Sequence, residues 1–238
     1  GAAGWRDVIP QSGAVLDWVT EVHGQWVAVY LRDVQHFVRV FDRDGRLQRT
    51  IDLPPLTTLL QAMPGPGATQ LDLVTMSYFH PPRVTRHDLA SGAVSVQREP
   101  VVGFDPAQFE ARQIRYRSKD GTRIPMFVVH KKDLDLTKGA PTLLYSYGGF
   151  NISQTPTYSP TRMAWLQSGG VFALANIRGG GEYGKPWHDA GRLMNKQNVF
   201  DDFAAAAEYL IASGISAKGK IAIDGRSNGG LLIGASLN

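Results

Sequence analysis

The sequence predicts an α/β domain preceded by an all-β segment, and three observations carry that prediction. From Pro141 onward, short apolar runs alternate with stretches of helical periodicity, the order expected of a mostly parallel sheet with helices on its faces. Before about residue 103 there are only short strand-like runs separated by turn residues. Near the end of the chain, Gly225-x-Ser227-x-Gly229 stands between an apolar run, Ile221-Ala-Ile223, and a helical segment whose expected packing face is Leu231, Leu232 and Ala235.

At 238 residues, 43% hydrophobic and 19% charged, the chain has the composition of a soluble globular protein and room for one large domain or two smaller ones. Its net charge of +4 comes from interspersed residues with only short pairs such as Lys131-Lys132, so no basic stripe invites nucleic acid. No apolar run approaches the roughly eighteen residues of a membrane span, and Gly1-Ala-Ala-Gly-Trp-Arg6 lacks the pattern of a signal peptide. We therefore expect no nucleic-acid or membrane partner, and a cytoplasmic or periplasmic location. The absence of cysteine excludes disulfides, a thiol nucleophile and any cysteine-ligated metal.

In the first segment, strands are expected at 15–19, 26–32, 37–42, 47–53, 71–77, 84–89 and 94–97. Asp44-Gly45 and Ser91-Gly92 are hairpin turns, while Pro54-Pro55 and Pro81-Pro82 interrupt the pattern between strand groups. Asp42 and Asp88 open similar turn sequences 46 positions apart, a period that fits either propeller blades or an ordinary antiparallel sheet.

The texture changes around Gly103-Phe-Asp-Pro-Ala-Gln108, which divides the chain into domains of residues 1–103 and 104–238. A hairpin follows, with strands at 109–118 and 123–129 about an Asp120-Gly121 turn. Residues 142–147 form the first buried strand. Ser159 caps a helix with Pro160 at its first position, and Gly169-Gly170 stops it. After a strand at 171–177, Asp201-Asp202 is expected to open a helix that packs through Phe203, Ala207, Leu210 and Ile211 and ends before Gly214.

The strand Ile221-Ala-Ile223, the glycine-bracketed serine and the helix after it have the arrangement of a nucleophile elbow, which makes the second domain an α/β-hydrolase fold. Glycines belong at 225 and 229 because side chains there would strike the neighbouring strand and helix. The turn strains Ser227 and exposes its hydroxyl, and the Asn228 N-H at the helix N-terminus points to where an oxyanion would form. All six histidines precede Ser227, and the eleven residues after it contain neither histidine nor acid. In this fold the acid and the histidine follow the serine, so both are expected beyond residue 238, in a longer enzyme of which this chain is a piece.

Gly179-Gly-Gly181-Glu-Tyr-Gly184 matches the dinucleotide-binding pattern, but Lys185-Pro-Trp-His-Asp-Ala190 does not open as an apolar helix and Pro186 argues against one. We read it as a loop that lets backbones pass closely. Asn151-Ile-Ser153 is an incidental sequon, and His188-Asp189, which precedes Ser227 in chain order, has a surface or structural role. Tyr145-Ser-Tyr147-Gly-Gly-Phe150 lies at the C-terminal end of a parallel strand, where ligands bind in open α/β sheets. Its aromatics pack in the core, or a tyrosine hydroxyl there donates to an oxyanion.

Taken together, Tyr145-Ser-Tyr147-Gly-Gly-Phe-Asn-Ile-Ser153, Ala175-Asn-Ile-Arg-Gly-Gly-Gly-Glu-Tyr-Gly184, Asn195-Lys-Gln-Asn198 with Phe200-Asp-Asp202, and Gly225-Arg-Ser-Asn-Gly-Gly230 resemble the prolyl oligopeptidase family of serine peptidases. The resemblance spans residues 104–238 and implies that residues 1–103 are the last blades of that family's seven-bladed propeller. It implies Ser227 as nucleophile, the Tyr147 hydroxyl with the Asn228 N-H as oxyanion hole, and Phe150 as an aromatic wall for the proline ring. Asn228 together with Tyr-Gly-Gly-Phe favours the proline-specific branch over the one that cleaves after basic residues; nothing is inferred from Arg226. The family's second proline-stacking aromatic and its substrate-carbonyl arginine would lie past residue 238.

The function so implied is cleavage of short peptides on the C-terminal side of proline through an acyl-enzyme on Ser227. The propeller would restrict entry, no cofactor would take part, and the full-length enzyme would be a monomer. The rival readings are an esterase or other acyl hydrolase of the same fold and a catalytically dead interaction module.

Overall fold

The computed structural model describes residues 4 and 6–237. The chain divides into two compact units. One runs to Val101 and includes Thr155–Thr157; the other holds Val102–Gln154 and the residues from Tyr158 onward.

The first unit contains two antiparallel four-stranded sheets, each with its strands paired in chain order. Strands β1 (Val15–Val22), β2 (Gln25–Arg32), β3 (Gln35–Phe41) and β4 (Leu47–Asp52) form one. Strands β5 (Thr58–Pro64), β6 (Gln70–Met76), β7 (Arg83–Asp88) and β8 (Val94–Arg98) form the other. Alternation places Val27, Val29, Val38 and Val40 of the first sheet in one buried cluster with Leu59, Leu71 and Leu73 of the second. The repeat marks the same turn in each sheet. Asp42 follows β3 and accepts the Asp44 and Arg46 N-H groups, while Asp88 ends β7 and accepts those of Ala90 and Ser91.

Strand β5 is absent from the sequence reading. A register shift between Leu59 and Gln61 breaks its alternation, so Leu59 points inward while Leu60 and Met63 stay exposed. Proline-rich stretches on both sides reinforce the appearance of a loop.

The second unit is built on a sheet of order β13-β11-β12-β10-β9. The hairpin β9 (Phe109–Arg117) and β10 (Arg123–Lys131) joins antiparallel to β12 (Val171–Ala175), which runs parallel to β11 (Thr142–Tyr145), itself parallel to β13 (Ile221–Asp224). Strands β10 and β12 are buried on both faces. Ile124, Met126, Val128, Val171 and Ala173 point to one core, and Phe127, Val129, Phe172 and Leu174 to the opposite side.

Helix α1 (Pro160–Gln167) lies on that opposite side, with Arg162 stacked 4.1 Å over the Phe172 ring. Ser159 caps it by accepting the Arg162 N-H at 3.4 Å, and Gly169 takes the left-handed conformation after its end. Helix α3 (Gln197–Ala212) covers the first core through Val199, Phe203, Ala206 and Leu210. Each large apolar side chain buried there stabilises the fold by about 2 kcal/mol. Among the described residues no helix is long and apolar enough to cross a membrane.

Several local expectations need correction. A five-residue helix, α2 (Lys185–Asp189), does form, because Pro186 falls in its first turn, where a missing N-H costs nothing. Helix α3 begins four residues before Asp201, so Asp202 is no terminal charge; Ile211 faces outward at 41% exposure. Among the described residues strand β13 pairs on one side, with β11, and its Ala222 is exposed. In α4 (Asn228–Ala235) Leu232 is buried but Leu231 is exposed.

Two acidic side chains are fully buried and meet that burial differently. Asp202 is paired. Arg178 Nη2 donates to its Oδ1 at 2.6 Å, the Arg178 N-H to its Oδ2 at 3.0 Å, and the Ser118 hydroxyl to its Oδ1 at 2.6 Å. Arg178 Nη1 reaches Asp120 at 2.5 Å and holds that carboxyl down to about 2, while Tyr116 donates to the Asp202 backbone carbonyl at 2.7 Å. Among the described residues Glu182 pairs with no cation. Burial pushes its carboxyl up to about 7, against the N-H of Gln154 and the Asn176 amide, which donate to Oε1. Among the described residues Glu182 Oε2 has no hydrogen-bond partner.

Asp202→Ala removes the buried partner and leaves Arg178 only the half-exposed Asp120, so it should lower unfolding stability by about 3 kcal/mol; a loss below about 1 kcal/mol in urea titrations would show that the pair does not hold the unit. Glu182 yields a pH dependence with a fixed sign. Its folded pKa lies above the unfolded value, so its stabilising contribution is complete below about pH 4.5 and falls by about 3 kcal/mol as pH rises through about 7. Glu182→Gln should flatten that slope; identical slopes for the two proteins across this window would mean that Glu182 is ionised throughout.

Candidate active site

The chain leaves β13 at Asp224 and turns into α4 through the residues around Ser227. A Cβ at Gly225 would lie 2.4 Å from Gly229 O, and one at Gly229 would lie 2.8 Å from Ser146 O, so only glycine lets the turn sit this close to α4 and to the exit of β11. Ser227 precedes the helix at φ 54°, ψ −117°, a conformation that costs a non-glycine residue roughly 1–3 kcal/mol and that the surrounding packing imposes. The local geometry is therefore the strained strand-turn-helix that the spacing predicts. The Gly229 and Gly230 N-H groups are used within the turn, on Arg226 O and Ser227 O at 2.8 Å each.

Facing the elbow is the loop that follows β11. The buried Ser146 hydroxyl donates to Ala175 O at 2.7 Å and ties the exit of β11 to β12. Tyr147 comes next, half-buried, and its carbonyl accepts from Asn228 Nδ2 at 2.6 Å. Asn228 thus contributes a side chain that clamps the Tyr147 backbone, as well as the N-H named by the sequence. A Cβ at Gly149 would sit 2.4 Å from that amide, which is why the clamp requires glycine there. Phe150 stands at the apex, 73% exposed, with φ 53°. Beyond it the Asn151 N-H donates to Gly179 O at 3.2 Å, and His188 Nδ1 lies 2.7 Å from the same oxygen. The Gly179–Gly184 stretch does let backbones pass closely: a Cβ at Gly181 would fall 2.5 Å from Asn151 O.

Among the described residues the Ser227 hydroxyl, the Tyr147 hydroxyl and the Asn228 N-H have no hydrogen-bond partner, while the groups around them are spent on the fold. That leaves a strained hydroxyl and an unspent donor on the elbow, and a second unspent donor on the residue whose carbonyl Asn228 clamps, the kinds of group that acyl transfer needs. Among the described residues no histidine bonds Ser227. His36 is held by Asp17 and the Leu59 N-H, His130 by Lys131 O and Glu110, His188 by Gly179 O, His87 by Thr85 and His23 by Gln70 O. Among the described residues no cluster of three or more His, Asp or Glu could hold a metal ion.

One neighbour of the candidate site escaped the sequence reading. Lys196, just before α3, donates from Nζ to Gly148 O at 3.0 Å. Its only sequence signal was its place in Asn195-Lys-Gln-Asn198, which says nothing about its partner.

A family profile described as "Prolyl oligopeptidase family" matches residues 156–238, and one described as "Prolyl oligopeptidase, N-terminal beta-propeller domain" matches residues 1–100. The chain is 43% identical over 235 residues to a prolyl endopeptidase of Elizabethkingia meningoseptica, covering 98% of this chain and 33% of that protein. It is 40% identical to the prolyl endopeptidase of Dictyostelium discoideum, again over 98% of this chain and 31% of the relative. A solved structure from a study of two prolyl endopeptidases matches with a TM-score of 0.93 at 43% identity, covering 99% of this chain and 35% of that one. Prolyl oligopeptidase B of Galerina marginata, bound to a 35mer hydrolysis and macrocyclization substrate, matches with a TM-score of 0.87 at 37% identity over 97% of this chain and 33% of that one. The chain spans about a third of the length of these relatives.

Proposed function

The chain belongs to the prolyl oligopeptidase family, its first unit in the β-propeller domain and its second at the start of the α/β-hydrolase domain, and from that premise we propose that it carries the nucleophile and oxyanion site of a serine endopeptidase acting on the C-terminal side of proline. Ser227 Oγ attacks the proline carbonyl and passes its proton to a histidine that this chain does not supply. The developing oxyanion receives hydrogen bonds from the Tyr147 hydroxyl and the Asn228 N-H. Collapse of the tetrahedral adduct expels the amine and leaves an acyl-enzyme, which water then hydrolyses over the same donors. Phe150 stacks on the proline ring from the exposed apex of its loop. The substrates are short proline-containing peptides, and the full-length enzyme acts as a monomer without a cofactor.

The observation that carries this reading is the 2.6 Å bond from Asn228 Nδ2 to Tyr147 O. It joins the two donor residues across the gap between elbow and loop, so that both unspent donors are held in one frame. An interaction module would have no need of a strained serine beside free donors, and an esterase of the same fold would have no need of a propeller.

In the full-length protein Ser227→Ala should lower kcat on a proline peptide amide by about 10⁶, with loss of labelling by a serine-directed phosphonate. Retained turnover would remove the nucleophile assignment. Tyr147→Phe should lower kcat by ~10² to 10³ while phosphonate labelling persists at a reduced rate; unchanged turnover would take the hydroxyl out of the oxyanion site. Turnover of simple esters but not of the proline amide would favour the esterase reading.

A further inference from the structure

Tyr147 is followed by Gly148-Gly149, the two most flexible residues the chain could place there, with Gly148 at φ 60°. A catalytic hydroxyl at the head of such a segment stays in place only if other elements hold the peptide groups around it. Two do. Asn228 Nδ2 holds the carbonyl of Tyr147 at 2.6 Å, and Lys196 Nζ holds the next carbonyl, that of Gly148, at 3.0 Å. We propose that Lys196 is a positioning residue for the oxyanion site, fixing the Gly148 peptide so that the Tyr147 hydroxyl keeps its place beside Ser227.

The lysine is unlike the surface lysines of this chain. Lys185 pairs with Asp189 and Lys220 caps two exposed carbonyls, whereas Lys196 is half-buried and, among the described residues, has no carboxylate partner. Its side chain passes near the Phe200 ring, with Nζ 5.8 Å from the centroid, and burial pushes its ammonium below the usual lysine range. A partly dehydrated ammonium without a counter-ion opposes folding unless its hydrogen bond is good, so this one is retained for what it holds. The Gly148 carbonyl has little else to turn to. Gly148 is buried, and a Cβ at Gly179 would lie 2.7 Å from its oxygen, which leaves no room for another side chain on that flank. Lys196 thereby links the start of α3 to the peptide that follows Tyr147.

This inference rests on the peptidase reading, and the experiment separates the two. In the full-length protein, Lys196→Met should lower kcat on a proline peptide amide about ten- to hundredfold with KM within about twofold of wild type, as expected when a transition-state donor is loosened and substrate binding is spared. In a Tyr147→Phe background the same substitution should cost less than about threefold, because the hydroxyl it positions is gone. Lys196→Gln, a second neutral variant that still offers an N-H donor, should lie between wild type and Lys196→Met. Full additivity in the double variant, or unchanged kcat in folded Lys196→Met, overturns the role of Lys196. If neither single variant folds by circular dichroism, Lys196 is a structural residue and the proposal also fails. Wild-type protein that neither labels with a serine-directed phosphonate nor turns over the amide sinks the peptidase reading itself, whereas labelling without a kcat effect at Lys196 sinks only this inference.

Discussion

The guanidinium of Arg178, buried against the carboxylate of Asp202, is the contact around which the second unit is arranged. Arg178 follows β12, Asp202 lies in α3, and Ser118 and Asp120 bring the end of the β9–β10 hairpin to the same point. Charges with so little access to water cannot be left partly paired, so the three elements have one way to meet. That meeting fixes where α3 begins. It also sets the positions of Ile177 and Val199, the side chains that press on Gly148 and leave no space for a Cβ there.

From this anchor the active face follows by close approach of backbones. The loop after β11, the glycine-rich loop after β12 and the elbow before α4 come within distances that only glycines allow, as at Gly229 against Ser146 O and Gly179 against Gly148 O. Close approach serves the proposed chemistry because it replaces water with fixed dipoles. The carbonyls of Tyr147, Gly148 and Gly179 each take a donor from another element. The three groups assigned to the reaction are left unspent. Preorganisation of this kind lets donors act on developing charge without reorientation at the moment of reaction.

Glu182 is the exception to that economy of pairing. Its carboxyl is buried and, among the described residues, one oxygen is unmatched and no cation pairs with it, yet its other oxygen receives the N-H of Gln154, in the segment that continues from Phe150. Neutral at low pH, it costs the fold little. Ionised, it opposes burial, so the same side chain that steadies this loop also makes the unit sensitive to pH.

Much of the fold was legible in local pattern. The hairpins at Asp44-Gly45, Ser91-Gly92 and Asp120-Gly121, the Ser159-Pro160 helix start and the strand-serine-helix elbow are all short-range features, in which a few neighbouring residues dictate backbone shape. Where pattern failed, something outside the window had intervened. A bulge at Leu60 hid β5, and the demand of Arg178 for a buried carboxylate drew Asp202 into the interior of a helix it was expected to begin. The sequence by itself determined the alternation of elements, the strained serine and, through its linked motifs, the family. Only the tertiary structure decided that Asn228 clamps a carbonyl 81 residues away and that Lys196 holds one 48 residues away. Periodicity and turn chemistry act over a few residues, whereas the partner of a long polar side chain is settled by which backbones the packed core brings within its reach.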